Sequence, residues 1–252
     1  MENTRNQIAL QAWSSDEAAE QYERARPAYA EAAVGFVVDE FGLGPGSRLL
    51  DLAAGTGKLT RQFVPYVGRI VAVEPLATMR AQLEKAVPTA DIREGTAEAV
   101  PLPDTDVDAV VAGQAWHWFD SERALAEVTR VTRPGAGLAL FWNEYDQRSE
   151  LMSRIARIRD RVSAAAPRHT ESEWRVAFSR SPVWAPLVEA EFEHVVRVTT
   201  EQMTERVLSS SVLAIQPEEV KSSVRAEIRH IAGGDTEIEV PYRTEVFWTR
   251  KG

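Results

Sequence analysis

Asp51 and Glu74 are the residues whose type and spacing most directly imply chemistry. Asp51 lies in LLDL, directly before the small-residue turn Ala53-Ala54-Gly55-Thr56-Gly57, and Glu74 ends the second apolar run, RIVAVE. An apolar strand that reaches an acid, turns through small residues and is echoed about 20 residues on by a second acid outlines an adenosine-binding βαβ unit. A phosphate cradle of the P-loop type needs glycine at position 52 and a hydroxyl at 59, which hold Leu52 and Leu59. A dinucleotide loop closes on Gly or Ala, and here that place is Thr60. Asp51 also sets a carboxylate where a pyrophosphate wants only donors. S-adenosylmethionine carries a sulfonium and an ammonium and no phosphate, so an acid beside this turn suits it better.

Elements that position these acids can be read from periodicity. Val34, Val37, Val38 and Phe41 form a helical stripe ending in the 42–46 turn, and residues 48–52 read as a buried parallel strand. A short helix over 58–64 is cut by Pro65, and strand two is 69–74. Leu76, Met79, Leu83 and Val87 fall at helical spacing, and residues 91–93 and 107–112 supply strands three and four. Ser121 is expected to cap a helix bearing Leu125 and Val128 that ends at Arg133-Pro134-Gly135, before a fifth strand over 137–142. Residues 146–186 turn helical and aromatic, with Trp174, Phe178 and Trp184, and read as a cap over the substrate mouth. The runs 191–198 and 242–250 alternate as an antiparallel pair around a helix with Val220, Val224, Ile228 and Ile231.

The domain plan is therefore one unit over 1–252. It comprises an N-terminal helical lid (1–45), a cofactor-binding core (46–145), a cap insertion (146–186) and C-terminal helices with the strand pair (187–252). A chain of 252 residues, 44% of them apolar, suffices for a sizeable core. The N-terminus lacks the layout of a signal peptide and no run of 18 apolar residues occurs, so a cytoplasmic protein with no membrane partner is expected. With no cysteine there is neither disulfide nor thiolate metal site, and no metal constellation is visible. The acidic stretch 104–108 reads as a turn. A net charge of −9 opposes nucleic acid, and the densest basic segment, RIARIRDR, reads as a solvated helix face with Ile155 and Ile158 beneath it.

The ordered blocks DLAAGTGKLT, VAVEP, REGTAEAVPLPDTDVDAVVAGQAWHWFD and EVTRVTRPGAGLALFWNE resemble the motif series of class I S-adenosylmethionine-dependent methyltransferases. The resemblance is nearest to small-molecule enzymes of the ubiquinone/menaquinone and trans-aconitate types. A preceding Y-x-x-x-R-P-x-Y element matches Tyr22, Arg26, Pro27 and Tyr29. The resemblance implies an α/β fold: a doubly wound, Rossmann-like seven-stranded sheet with a reversed C-terminal strand, here with a helical cap. It implies S-adenosyl-L-methionine as cofactor and a small organic acceptor, in a monomer or homodimer.

In that plan ligands sit at the carboxyl ends of the strands. Gly55 and Gly57 then let backbone approach the cofactor, Ala53 replaces the family's usual glycine, and Asp51 meets the ammonium or a bound water. Glu74 accepts both ribose hydroxyls, Pro75 and Met79 flank the adenine, and Thr96, Ala97 and Glu98 stand where relatives bind its amino group. Gln114 and Ala115 touch the cofactor, Trp116 and Trp118 wall the sulfonium from water, and Tyr22 and Arg26 close the lid and pair with the cofactor carboxylate. His117 is the candidate general base for a hydroxyl or acidic-carbon acceptor, while His169, His194 and His230 are background. Methyl transfer needs mainly in-line alignment. Two alternatives stay open: a cofactor-binding protein of this fold with a non-methylating role such as cyclisation, decarboxylation or regulation, and a nicotinamide-dependent oxidoreductase.

Overall fold

Alternation within the short apolar runs builds the sheet. In β1 (Arg48–Leu52), Leu49 faces one side while Leu50 and Leu52 face the other, and β2 (Arg69–Val73) divides Ile70 from Val71 and Val73 in the same way. The computed structural model describes residues 11–162, 173–233 and 237–252. Its strands continue with β3 (Asp91–Arg93), β4 (Val107–Gly113), β5 (Thr132–Tyr145), β6 (Val188–Thr199) and β7 (Glu237–Arg250). They form one seven-stranded sheet in the order β3-β2-β1-β4-β5-β7-β6, with the C-terminal strand reversed. Parallel register runs Asp51 beside Ala72 and Val111, so β1 is central and its carboxyl end lies where the strand order reverses.

The chain divides into two compact units. One comprises Ala28–Trp142, Pro167–Phe192 and Thr244–Gly252. On one sheet face, α2 (Glu31–Phe41) and α3 (Lys58–Phe63) bury Val34, Val37, Leu59 and Phe63 against Leu49, Val111 and Phe141. On the other, α5 (Ser121–Val131) and α7 (Glu173–Arg180) cover Leu50, Val110, Leu138 and Trp142. Between β2 and β3, α4 (Ala77–Ala86) buries Leu83 against Ala72 and Val87. The second unit comprises Met1–Pro27, Asn143–Ala166 and Glu193–Arg243. It holds α1 (Asp16–Ala25), α6 (Glu150–Val162), α8 (Thr200–Leu208), α9 (Ser211–Ala214) and α10 (Glu218–Ile231). Met152, Ile155, Met203, Val207, Val224 and Ile228 form its core. Arg161 pairs at 2.6 Å with Glu227, in keeping with a solvated face on α6.

Three expectations change. Asp120, rather than Ser121, caps α5 by accepting from the Arg123 amide at 3.2 Å. The Arg133-Pro134-Gly135 turn lies inside β5, where Thr132 already pairs with Val107 and Gly135 adopts φ 78°, producing an irregularity in the β4–β5 ladder. The aromatics of the described part of 146–186 are core residues. Trp174, Phe178 and Trp184 join the sheet core around Trp116 and Trp142, and Trp184 Nε1 donates to Thr129 Oγ1 at 2.8 Å. Large rings save more free energy in a sheet core than at an exposed rim, on the order of 25 cal/mol per Å² buried. His169 lies outside the described residues. Among the described residues no helix is long and apolar enough to cross a membrane, and no group of three or more His, Cys, Asp or Glu could hold a metal. The acids of 104–108 are instead engaged by arginines: Arg130 holds Asp104 at 2.9 Å, Arg48 holds Asp106 at 2.6 Å, and Arg133 pairs with Asp108.

Candidate functional site

Beyond β1 the backbone turns sharply. Ala53, Gly55 and Gly57 have φ of 56°, 57° and 85°, the left-handed region that favours glycine. Ala53 bears a roughly 1 kcal/mol cost there, the reason a glycine suits the position. The turn is held by Ala54 N donating to Val73 O at 3.1 Å and Gly57 N to Ala54 O at 2.9 Å. The two glycines differ in what they spare. A β-carbon on Gly55 would enter open space, whereas one on Gly57 would strike the Leu83 side chain. Gly57 is therefore required by the packing of α4 as well as by its left-handed backbone.

Asp51 is fully buried, and its Oδ2 accepts from Thr60 Oγ1 at 2.6 Å while Oδ1 has no partner. Burial, with added repulsion from Glu74, pushes the Asp51 carboxyl up to about 7. Glu74 is also buried and its pKa is raised by burial, offset in part by the Leu76 and Gly55 amides, which donate to Oε1 and Oε2 at 2.9 Å each. Two buried carboxyls thus meet at one turn with acceptor capacity left over: an entire oxygen on Asp51 and second lone pairs on Glu74. The Arg80 guanidinium donates to the Glu74 and Pro75 carbonyls and to Glu94, and its charge also works to lower the Glu74 pKa.

On the expected adenine side, Pro75 and Thr96 are exposed, and Met79 and Ala97 are buried. Thr96 and Ala99 form an isolated antiparallel bridge. Glu98 ties this loop to α5 by accepting from the Asp120 amide at 3.0 Å.

After β4, Gln114 takes φ 57° and donates its amide to Phe141 O at 2.8 Å, which starts the turn that carries Ala115 to Trp118. Trp116 is fully buried against Phe119 and Phe178, so it anchors the turn in the core and does not wall a ligand. Trp118 is also buried, and His117 is half-buried. Trp142 Nε1 donates to His117 Nδ1 at 3.1 Å. An indole N–H can only donate, so this bond assigns the neutral ring the tautomer with its proton on Nε2.

The Y-x-x-x-R-P-x-Y element is divided between the two units. Tyr29 belongs with the turn: its amide and carbonyl are clamped by the Gln62 side chain at 2.9 Å each, and its hydroxyl fills the space a β-carbon on Gly113 would need. Tyr22 and Arg26 lie in the other unit, where Tyr22 packs edge-on to Trp13 and Arg26 stacks over Tyr22 and donates to Ser209 O at 3.4 Å. Sequence reasoning missed Thr60, Gln62 and Trp142. Only Thr60 carried a signal, as the residue that spoiled the dinucleotide pattern.

A family model described as a methyltransferase domain matches residues 50–140. The chain is 32% identical to an uncharacterized methyltransferase-like protein of Schizosaccharomyces pombe, over 97% of each chain. The crystal structure of the YcgJ protein from Bacillus subtilis is similar with a TM-score of 0.58 at 20% identity, covering 88% of this chain and 99% of that one. Geranyl diphosphate C-methyltransferase from Streptomyces coelicolor, solved with Mg2+, geranyl-S-thiolodiphosphate and S-adenosyl-L-homocysteine, is similar with a TM-score of 0.51 at 15% identity, covering 88% and 76%. The last two share the fold.

Proposed function

The chain belongs to the class I methyltransferase family, and from that premise we propose that it transfers a methyl group from S-adenosylmethionine to a small organic acceptor. The observation that carries the cofactor assignment is the unpartnered, fully buried Oδ1 of Asp51, directly before the turn that bears Gly55. A buried carboxylate with a spare oxygen is costly unless a cation or donor meets it. A cationic ligand meets that need and a pyrophosphate aggravates it. A structural neighbour solved with S-adenosylhomocysteine supports the same reading.

Asp51 would hold the ammonium, Glu74 the ribose hydroxyls, and Thr96 and Ala97 the adenine edge, with Pro75 and Met79 beside it and Gln114 and Ala115 near the methionine arm. Bound there, S-adenosylmethionine supplies an electrophilic methyl on a sulfonium. The chain's own part is alignment of the acceptor, which can supply much of the acceleration of an in-line displacement. His117 enters as a donor through Nε2–H, because the Trp142 bond occupies the nitrogen that would otherwise take a proton. This replaces the general-base role read from sequence. Calorimetry with S-adenosylmethionine and S-adenosylhomocysteine tests the proposal. Binding of both is expected, and NAD(H) binding in their place would overturn it. S-adenosylhomocysteine formation with candidate acceptors separates turnover from a non-methylating role.

A further inference from the structure

The two edges of the sheet are finished in different ways. β3, at one end of the strand order, has only three residues, and its two charged side chains bind each other, Arg93 Nη2 donating to Asp91 Oδ2 at 2.7 Å. Short length and charge are the usual means of keeping an edge from pairing with another chain. β6, at the other end, runs for 12 residues. Its side away from β7 has no neighbouring strand among the described residues, so alternate backbone N–H and C=O groups there have no ladder partner.

Within the unit that holds α6, α8 and α10, the stretch Glu193–Thr199 of β6 alternates between two faces. Val196 and Val198 join the core of that unit, and the His194 ring stacks 5.4 Å from that of Tyr242. Glu193, Val195 and Arg197 share the opposite face and are exposed. Val195, at 59%, is the most exposed large apolar side chain among the described residues. Glu193 accepts from Arg148, and Arg197 donates to Glu239 at 2.9 Å, both pairs lying in solvent. A lone exposed valine needs no explanation. A valine between an acid and a base on the open edge of a long strand is a self-complementary pattern.

Self-complementarity selects a register. A two-fold axis normal to a sheet leaves each side chain on its own face, so an antiparallel pair of identical strands is centred on one residue. Centring on Glu193 sets acid against acid, and centring on Arg197 sets base against base. Centring on His194 or Val196 puts Val195 against a charge. Of the centres from Glu193 to Arg197, only Val195 puts valine against valine and makes two Glu193–Arg197 pairs, one on each side of it.

We propose that Glu193–Arg197 is the pairing edge of a homodimer, in which β6 of one copy adds antiparallel to β6 of a second copy about Val195. The pairing supplies backbone hydrogen bonds to both edges, covers the two valines with each other and uses up both long edges, so assembly stops at two copies. It is independent of the methyl-transfer reading.

Sedimentation equilibrium over a concentration series that reaches about 100 μM, well past micromolar affinity, reads the assembly. Wild type is expected to form a dimer that Val195→Lys dissociates. Glu193→Arg and Arg197→Glu should each weaken the dimer by about tenfold or more, since each reversal turns two attractive cross-strand pairs into two repulsive ones. All three positions are exposed and surface ion pairs add little stability, so the variants should melt close to wild type. Mixing the two charge variants should restore a dimer with one copy of each, because the first then offers two arginines and the second two glutamates in matching places. The double variant carrying both reversals should dimerise alone. A wild type that stays monomeric throughout the series, a dimer that any single variant keeps at wild-type strength, or a lost dimer that mixing does not restore would overturn the proposal.

Discussion

The turn after β1 and the α1–α8 junction each bury charge, with opposite sign and opposite means of support. At the turn, Asp51 and Glu74 repel one another, and neutral donors, the Thr60 hydroxyl and the Gly55 and Leu76 amides, hold them. At the junction, Arg26 and Arg206 are held by neutral acceptors, the carbonyls at two helix ends. In both places hydrogen bonds fix the geometry and offset the charge only in part. The difference lies in adaptability. A carboxyl can take up a proton and lower its cost, as the Asp51 pKa of about 7 records. A guanidinium stays charged.

The largest expected effect is at Asp51. Asp51→Asn should weaken S-adenosylmethionine binding on the order of 100-fold, the scale for deleting one partner of a buried charge pair, as read by calorimetry. The folded state holds the Asp51 proton more tightly than the unfolded chain, so this group's contribution to stability falls as pH rises from the ordinary carboxylate range through about 7. Asp51→Asn should therefore melt higher than wild type at pH 8 without cofactor, despite its weaker binding. The same sign makes wild-type affinity for the cationic cofactor climb with pH through about 7 and makes the variant's affinity flat. A flat wild-type profile would detach the acid from the cofactor.

Next come the two glycines. Gly57→Ala meets both a left-handed backbone and the Leu83 side chain, and should lose about 2 kcal/mol in denaturant unfolding. Gly55→Ala meets only the backbone term, about 1 kcal/mol, yet should weaken cofactor binding more than Gly57→Ala does among folded protein. Reversal of that order would move the ligand away from Gly55. The smallest effect concerns His117. If it donates through Nε2–H, His117→Gln should stay within about tenfold of wild-type kcat/KM, the scale of one or two hydrogen bonds, and exceed His117→Ala. A base role predicts that both variants fail alike.

Much of the first contrast was legible in sequence. Period-two and helical patterns placed β1 to β4 and the helices between them within a residue or two, because each is decided by which side chains leave water together. The acids could be located because strand ends and tight turns are local features. The cap of α5 and the start of β5 were misread because Asp120 and Ser121 are equally good caps by type, and Pro-Gly marks a bulge as readily as a turn. The aromatics of 146–186 were ambiguous for a different reason. Composition gives no hint whether a tryptophan faces a ligand or a neighbouring sheet.

By itself, then, the order of residues determined the sheet's central strands, the left-handed turn and the two acids beside it, since backbone sterics and apolar periodicity act over a few positions. Tertiary structure alone decided that Asp51 keeps an unpaired oxygen, that Trp142 sets the His117 tautomer, and that Arg26 and Arg206 cap each other's helices. Those facts depend on burial and on partners up to 183 positions away along the chain, as Arg26 is from Ser209. No local pattern encodes them, because desolvation is a property of everything packed around a group.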